Sequence, residues 1–302
     1  MDLRWCYNYV PMTEVQALNA PGRTVVLPGR GEVFVRDTGD VDAPLGTVVL
    51  LHGWMFGADF NWITAWQPLR EAGYRAIAPD HRGHGRGIRS LEPFRLVDCA
   101  DDAAALIRQL DLGPVLVHGY SMGGAIAQLL AHRHPELVRG VVLAATSAQW
   151  REERRMRMAW RTMSALQFAL THYNRRFWTG ALRREGLTAG KDVANWMISE
   201  LMRSDPRAIA EAGREMAHFD SRPWLAEIET PIDVICPTRD QLVPPAFQRE
   251  LAAAIPGARL FEVKGDHLAI GKEPQAFMKA LLEALADVSQ RADEPAVEAK
   301  AG

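Results

Sequence analysis

The chain has 302 residues, 48% hydrophobic and 24% charged, with a formal net charge of −2. That balance belongs to a globular protein; it excludes wholesale disorder and collagen-like repeats, and so small a charge gives no argument for a nucleic-acid partner. Three cysteines, Cys6, Cys99 and Cys236, lie far apart without a CxxC pair, so neither a zinc cluster nor a disulfide framework is signalled and a reducing compartment is expected. The opening MDLRWCYNYVPMTEV has no continuous apolar stretch, and no later run approaches a membrane span. A cytoplasmic protein without integral membrane association is expected.

Taken in chain order, residues 1–22 read as an N-terminal extension whose Trp5, Tyr7 and Tyr9 pack along a sheet edge or against another subunit. VVLPGRGEVFVRD at 25–37 reads as an antiparallel pair. Short apolar runs then alternate with helical patterns: TVVLL at 47–51, YRAIAP at 74–79, PVLVH at 114–118, GVVLAA at 140–145, PIDVIC at 231–236 and ARLFEV at 258–263. This is the pattern of an α/β protein whose sheet is mostly parallel and covered on both faces. Trp62, Trp66 and Leu69 fall at helical spacing before Gly73, and Leu96, Ala103, Leu106 and Leu110 before Gly113, with the glycines as helix stops. The alternation breaks over 148–224. There Met156, Trp160, Met163, Leu166 and Leu170 keep helical spacing, and Asp205-Pro206 makes an N-cap with a first-turn proline. The expected organisation is a core of 23–147 and 225–286, a helical cap of 148–224 and a disordered tail of 287–302.

The strongest chemical signal is Gly119-Tyr120-Ser121-Met122-Gly123-Gly124, set between a strand and the helical AIAQLLAHRH. A serine on so sharp a turn is strained, and only glycine-sized neighbours avoid collision there; its hydroxyl stands above the sheet at a helix N-terminus. A hydroxyl needs a base. His267, after the last apolar run and behind the serine in chain order, is the candidate among nine histidines. His132 and His134 sit on the following helix, His172 and His218 in the cap, and His118 is expected to pack in the sheet. The acid that orients His267 is Asp240, which follows the penultimate strand. Asp266 is adjacent to the histidine and badly placed to reach its distal nitrogen, and Thr146 and Ser147 at the alternative acid position carry no charge. Backbone donors for a developing oxyanion are expected from the amides of Met122 and of Trp54 in Leu51-His52-Gly53-Trp54. Gly83-x-Gly85-x-Gly87 lacks the spacing and strand–helix frame of a dinucleotide site.

From about Arg23 to Ala286 the chain resembles the α/β-hydrolase superfamily, in its capped branch of serine esterases, cofactor-free haloperoxidases and carbon–carbon hydrolases. LLHGW at 50–54, APDHRGHGRG at 78–87, HGYSMGG at 118–124, PTRDQLVP at 237–244 and GDH at 265–267 carry the resemblance. It implies an α/β-hydrolase fold of eight strands, an inserted helical cap after the sixth, and a triad working without metal or organic cofactor. His81 and His84 are then structural. Met55 stands where many relatives have proline, and Asp266 replaces the usual glycine before the base.

The expected function is hydrolysis of small to medium hydrophobic or aromatic carboxylic esters through an acyl-enzyme at Ser121. The alternatives are carbon–carbon hydrolysis, acyl transfer or haloperoxidase-type chemistry on the same triad, and a ligand-binding receptor on this scaffold. The cap carries 14 Lys and Arg against 9 Asp and Glu, a balance of +5 against −7 for the remainder. Its run of Arg151, Arg154, Arg155, Arg157 and Arg161 reads as a solvated helix face.

Overall fold

The computed structural model describes residues 18–39, 43–150, 162–173 and 191–294. Trp5, Tyr7, Tyr9, the arginine run of 151–161, Met156, Trp160, Phe177 and Trp178 lie outside them. Eight strands form one sheet: β1 (Gly22–Leu27), β2 (Gly31–Asp37), β3 (Thr47–Leu51), β4 (Arg75–Pro79), β5 (Val115–Tyr120), β6 (Val138–Ala144), β7 (Ile232–Pro237) and β8 (Leu260–Val263). Their order is β1-β2-β4-β3-β5-β6-β7-β8. β2 runs antiparallel to both its neighbours and every other pairing is parallel.

Between the strands run α1 (Ala58–Trp62), α2 (Trp66–Glu71), α3 (Leu96–Gln109), α4 (Met122–Arg133), α5 (Met163–His172), α6 (Lys191–Arg203), α7 (Pro206–His218), α8 (Pro245–Ala254), α9 (Ala269–Lys272) and α10 (Pro274–Asp293). The apolar runs of the central strands lack a polar alternate because both faces are buried. Val49, Leu51, Val117, Val141, Leu143 and Val234 pack on one side with α3, α4 and α8. Val48, Leu50, Leu116, Val142, Ala144 and Ile235 pack on the other with α1, α2 and α10. Successive side chains of a strand point to opposite faces, so each run supplies both cores at once.

β3 and β5 are neighbours, yet the chain leaving β3 enters α1 and α2 on one face while the chain leaving β5 enters α4 on the other. This divergence opens a crevice at the carboxyl ends of the two strands, where open α/β sheets place their ligands. The long segment between β6 and β7 holds α5, α6 and α7; α7 packs on α5 and α3, and α6 touches α1. Asp205 caps α7, its carboxylate accepting from the Arg207 amide at 2.8 Å. Among the described residues no helix is long and apolar enough to cross a membrane.

Two readings of the sequence change. The Trp62–Leu69 pattern is two short helices rather than one, with Ile63 to Ala65 between them. Residues 287–293, expected in a disordered tail, belong to α10, which continues to Asp293; residues 295–302 lie outside the described residues. Val288 is fully buried in the core, and Arg291 bonds Asp287 at 2.8 Å and Asp233 at 2.5 Å. Over 287–293 the polar composition that suggested disorder is therefore an ion-paired outer face. Val288→Ala should lower the unfolding free energy by about 2 kcal/mol, two methyl groups of burial plus a small cavity. Truncation after Ala286 should cost more, and an unchanged urea midpoint on truncation would place this end outside the folded unit.

Candidate active site

Ser121 follows β5 and caps α4 with φ 54° and ψ −117°, a left-handed backbone on a residue that carries a side chain. The turn closes because its flanks are glycine: a Cβ on Gly119 would strike the Gly123 carbonyl, and one on Gly123 would strike the carbonyls of Leu51 and His52. The second collision shows how closely α4 abuts the end of β3. The Ser121 amide donates to Ala144 O at 2.8 Å, tying the turn to β6.

The structure brings the three sequence candidates together. Ser121 Oγ lies 3.0 Å from His267 Nε2, and His267 Nδ1 lies 2.7 Å from Asp240 Oδ2. Asp240 is on the loop leaving β7 and His267 on the loop leaving β8. The Asp240 side chain is fully buried, and its charge is met by the amides of Leu242 and Val243, each at 2.9 Å, and by Gln248 Nε2 at 3.2 Å. The His267 carbonyl accepts from the Tyr120 hydroxyl at 2.7 Å, which fixes the histidine loop to the residue before the serine. Asp266 turns away from the ring: its carboxylate takes the Leu268 amide at 2.8 Å and Lys272 Nζ at 2.6 Å. Burial opposes the Asp266 charge, but the Lys272 and amide hydrogen bonds hold the carboxyl below its usual range.

The loop after β3 is fixed from beneath. His52 is fully buried; its Nδ1 donates to Gly53 O at 2.8 Å and its Nε2 accepts from the His81 amide at 2.9 Å. Those two bonds require the neutral Nδ1–H tautomer, and burial enforces neutrality by pushing the imidazole down to about 4. The Gly53 amide donates to Asn61 Oδ1 at 2.9 Å. Gly53 O and Trp54 N–H belong to one trans peptide and point in opposite directions, so a carbonyl held down by His52 leaves the Trp54 amide facing away from the buried histidines. Met122 opens α4, at the positive end of the helix dipole.

Residues 46–274 match the family described as the alpha/beta hydrolase fold. The chain is an α/β hydrolase. A Mycobacterium tuberculosis protein named as a non-heme bromoperoxidase, BpoC, is 32% identical over 225 residues, 72% of this chain and 85% of that protein. The pimeloyl-[acyl-carrier protein] methyl ester esterase of Chromobacterium violaceum is 29% identical over 247 residues, 79% of this chain and 93% of that protein. The crystal structure of the enol-lactonase from Burkholderia xenovorans superposes with a TM-score of 0.70 at 26% identity, covering 87% of this chain and all of that one.

In this α/β hydrolase the other histidines serve packing. His81 and His84 are buried beside His52, with ring centroids 4.1 and 5.7 Å from it. His118 is buried in the sheet and bonds Val142 O at 2.9 Å. His132 stacks on Trp224 at 4.4 Å, and His134 bonds Asp101 at 2.9 Å. His172 and His218 are exposed, each bonded to a carbonyl of its own helix. Among the described residues no group of three or more His, Cys, Asp or Glu is arranged to hold a metal ion. Reading the sequence missed His52, Asn61 and Gln248, whose roles depend on partners that no local pattern announces.

Glu200, on α6, is also buried, and reading the sequence missed it too. Desolvation pushes its carboxyl up to about 7, with Asp59 and Asp80 adding repulsion against Arg203 and Arg86. An unfolded carboxyl ionises near 4.5, so the folded state holds this proton more tightly. The stabilisation is complete below pH 4.5 and is lost as pH rises through about 7. Buried His52 and His118, down to about 4, and His84, down to about 3, act in the opposite sense. Their contribution is present above the unfolded value of 6.5 and is lost as pH falls through about 4. Glu200→Gln should therefore raise the thermal midpoint at pH 8, by the equivalent of up to about 3 kcal/mol, and change it little at pH 4.5. Parallel wild-type and variant curves across that range in a melting series would refute the assignment.

Proposed function

We propose that the chain hydrolyses carboxylic esters of small to medium hydrophobic acids through an acyl-enzyme on Ser121. The observation that carries this reading is the unbroken chain of hydrogen bonds from Ser121 Oγ through His267 to a buried Asp240, at 3.0 and 2.7 Å. In it, His267 Nε2 takes the hydroxyl proton as Oγ attacks the ester carbonyl. Asp240 steadies the imidazolium. The amides of Trp54 and Met122 receive the oxyanion, and His267 then protonates the leaving alcohol. Water, activated by the same histidine, releases the acid and restores the serine.

The names of the relatives support ester chemistry: one is a methyl ester esterase, and an enol-lactone is a cyclic ester. The helices between β6 and β7 would serve as the cap. Leu170, Ile198, Leu201 and Ile209 form an apolar cluster against Trp54, Met55 and Phe56, which suits a hydrophobic acyl group near the oxyanion donors. The bromoperoxidase name of the 32% identical relative favours a second reading, in which hydrogen peroxide replaces water at the acyl-enzyme.

A fluorophosphonate should label Ser121, and Ser121→Ala should abolish labelling and turnover of p-nitrophenyl butyrate without unfolding the protein. Labelling of the alanine variant would overturn the nucleophile. Asp240→Asn should reduce kcat by about 10⁴-fold with the fold intact, whereas Asp266→Asn should change it little. Equal losses would reassign the acid. Across p-nitrophenyl acetate, butyrate, hexanoate, octanoate and palmitate, kcat/KM should climb by roughly a hundredfold over the first four added carbons, at about 0.8 kcal/mol per methylene, and then fall. A maximum at acetate removes the hydrophobic pocket, and peracid formation outpacing hydrolysis in hydrogen peroxide would establish the second reading.

A further inference from the structure

The loop after β3 is held from above as well as from beneath, and the upper contacts all come from the inserted segment. Trp54 Nε1 donates to Ile209 O on α7 at 2.8 Å. Its ring lies against Gly213, where an added Cβ would meet Met163 Sδ and stand 3.2 Å from Trp54 Cζ2, so α7 rides directly on the indole. One residue on, Met55 holds φ at 76°, a left-handed conformation that costs a non-glycine residue energy and persists only where its surroundings impose it. The Met55 carbonyl accepts from Ser204 Oγ at 3.2 Å, and the same hydroxyl accepts from the Gly85 amide at 3.1 Å. Ser204 is 6% exposed and lies in the corner between α6 and α7, so its hydroxyl joins the corner to the oxyanion loop and to the 80–89 loop at once. The residues on either side secure it: Arg203 O accepts from Arg89 at 2.7 Å, and the Asp205 amide donates to Gly83 O at 2.8 Å.

We propose that Ser204 and the Trp54 indole are positioning residues through which the α6–α7 corner of the inserted segment completes the oxyanion hole. The proposal rests on the serine-hydrolase reading above. His52 holds the peptide that carries the Trp54 amide through one atom, Gly53 O, and Asn61 holds the peptide before it, but the C-terminal side is the strained Met55, whose carbonyl rests on Ser204. With the corner unseated, Met55 relaxes toward negative φ and the indole loses its anchor on Ile209, so the peptide of the Trp54 amide is left with the single bond from Gly53 O to His52 and tilts off the position where the oxyanion forms. The inserted helices thus do more than cover a pocket: an enzyme whose α7 has lifted would bind an ester and fail to turn it over. Closure of the segment and assembly of the oxyanion donors are one event.

The test compares Ser204→Ala and Trp54→Phe with the wild type in ester turnover and in inhibition by phenylboronic acid, which forms a tetrahedral adduct on a reactive serine. Both variants should lose kcat by about tenfold or more, less than the roughly 10²–10³-fold that follows removal of an oxyanion donor itself, with KM within about twofold. The boronate inhibition constant should rise by the same factor as kcat/KM falls, because both report the tetrahedral state. The double variant should lose less than the product of the single losses, since both act through one loop. Ser204→Thr, which keeps the hydroxyl, should recover most of the rate. Losses confined to KM or to thermal stability, with boronate affinity unchanged, would overturn the proposal; Ser204→Ala decides it alone if Trp54→Phe does not fold. A wild type that no fluorophosphonate labels defeats the serine-hydrolase reading itself. A labelled wild type whose two variants bind boronate normally defeats only this inference.

Discussion

Ser121 sits at φ 54° and ψ −117°, a conformation that costs of order 1–3 kcal/mol and that nothing in the serine itself favours. What imposes it is the packing of α4 against the end of β3. Gly123 lies where any side chain would strike the carbonyls of Leu51 and His52, and Gly119 where one would strike Gly123. That close approach has two consequences. It lifts the hydroxyl above the strand ends, where the loops leaving β7 and β8 bring Asp240 and His267. It also sets the first turn of α4 against the end of β3, where the loop that carries Trp54 begins. Relax the turn and both the nucleophile and its surroundings are lost together.

A second constraint is the buried floor of the site. Three imidazoles, His52, His81 and His84, are packed in contact and kept neutral by burial. Neutrality matters most at His52, because only the Nδ1–H tautomer can hold Gly53 O while accepting from the His81 amide. A protonated His52 would set two N–H groups against each other. The Asp80 carboxylate lies nearby and takes the amides of Ala58 at 2.7 Å and Arg86 at 2.8 Å, which joins the start of α1 to the loop after β4. These groups form a rigid base, which is what the proposed oxyanion hole would require of its donors.

Much of this was legible in the sequence, for physical reasons. Strands buried on both faces leave unbroken apolar runs, and a strained serine turn demands glycine at fixed offsets, so both can be read from short windows. Chain order placed the loops of Asp240 and His267 at the same sheet edge. The α10 terminus was misjudged because Asp287 and Arg291 look like solvent-facing residues until Asp233, more than fifty positions away, is seen between them. Asn61, Ser204, Glu200 and Gln248 carry no signature at all: each is an ordinary polar residue made special by a partner on another element or at an irregular turn.

The aromatic residues of 148–224 illustrate how composition and placement separate. Among the described residues, Trp150 packs on Phe219 at 5.5 Å, Trp224 stacks on His132, and Trp196 meets Phe60 at 5.8 Å. Each of these joins the inserted segment to itself or to the core. The described residues that the segment turns toward Trp54 and Met55 include the aliphatic Ile198, Leu201 and Ile209, almost wholly buried there. These described rings therefore set where the helices sit, and branched aliphatic side chains cover the loop after β3. Since Ile209 also offers its carbonyl to the Trp54 indole, the residue that shapes this surface is the one that registers α7 against the loop. On the proposed reading, substrate fit and alignment of the oxyanion donor would meet at this single turn of helix, and an acyl group that displaced the turn to make room for itself would disturb the donor it needs.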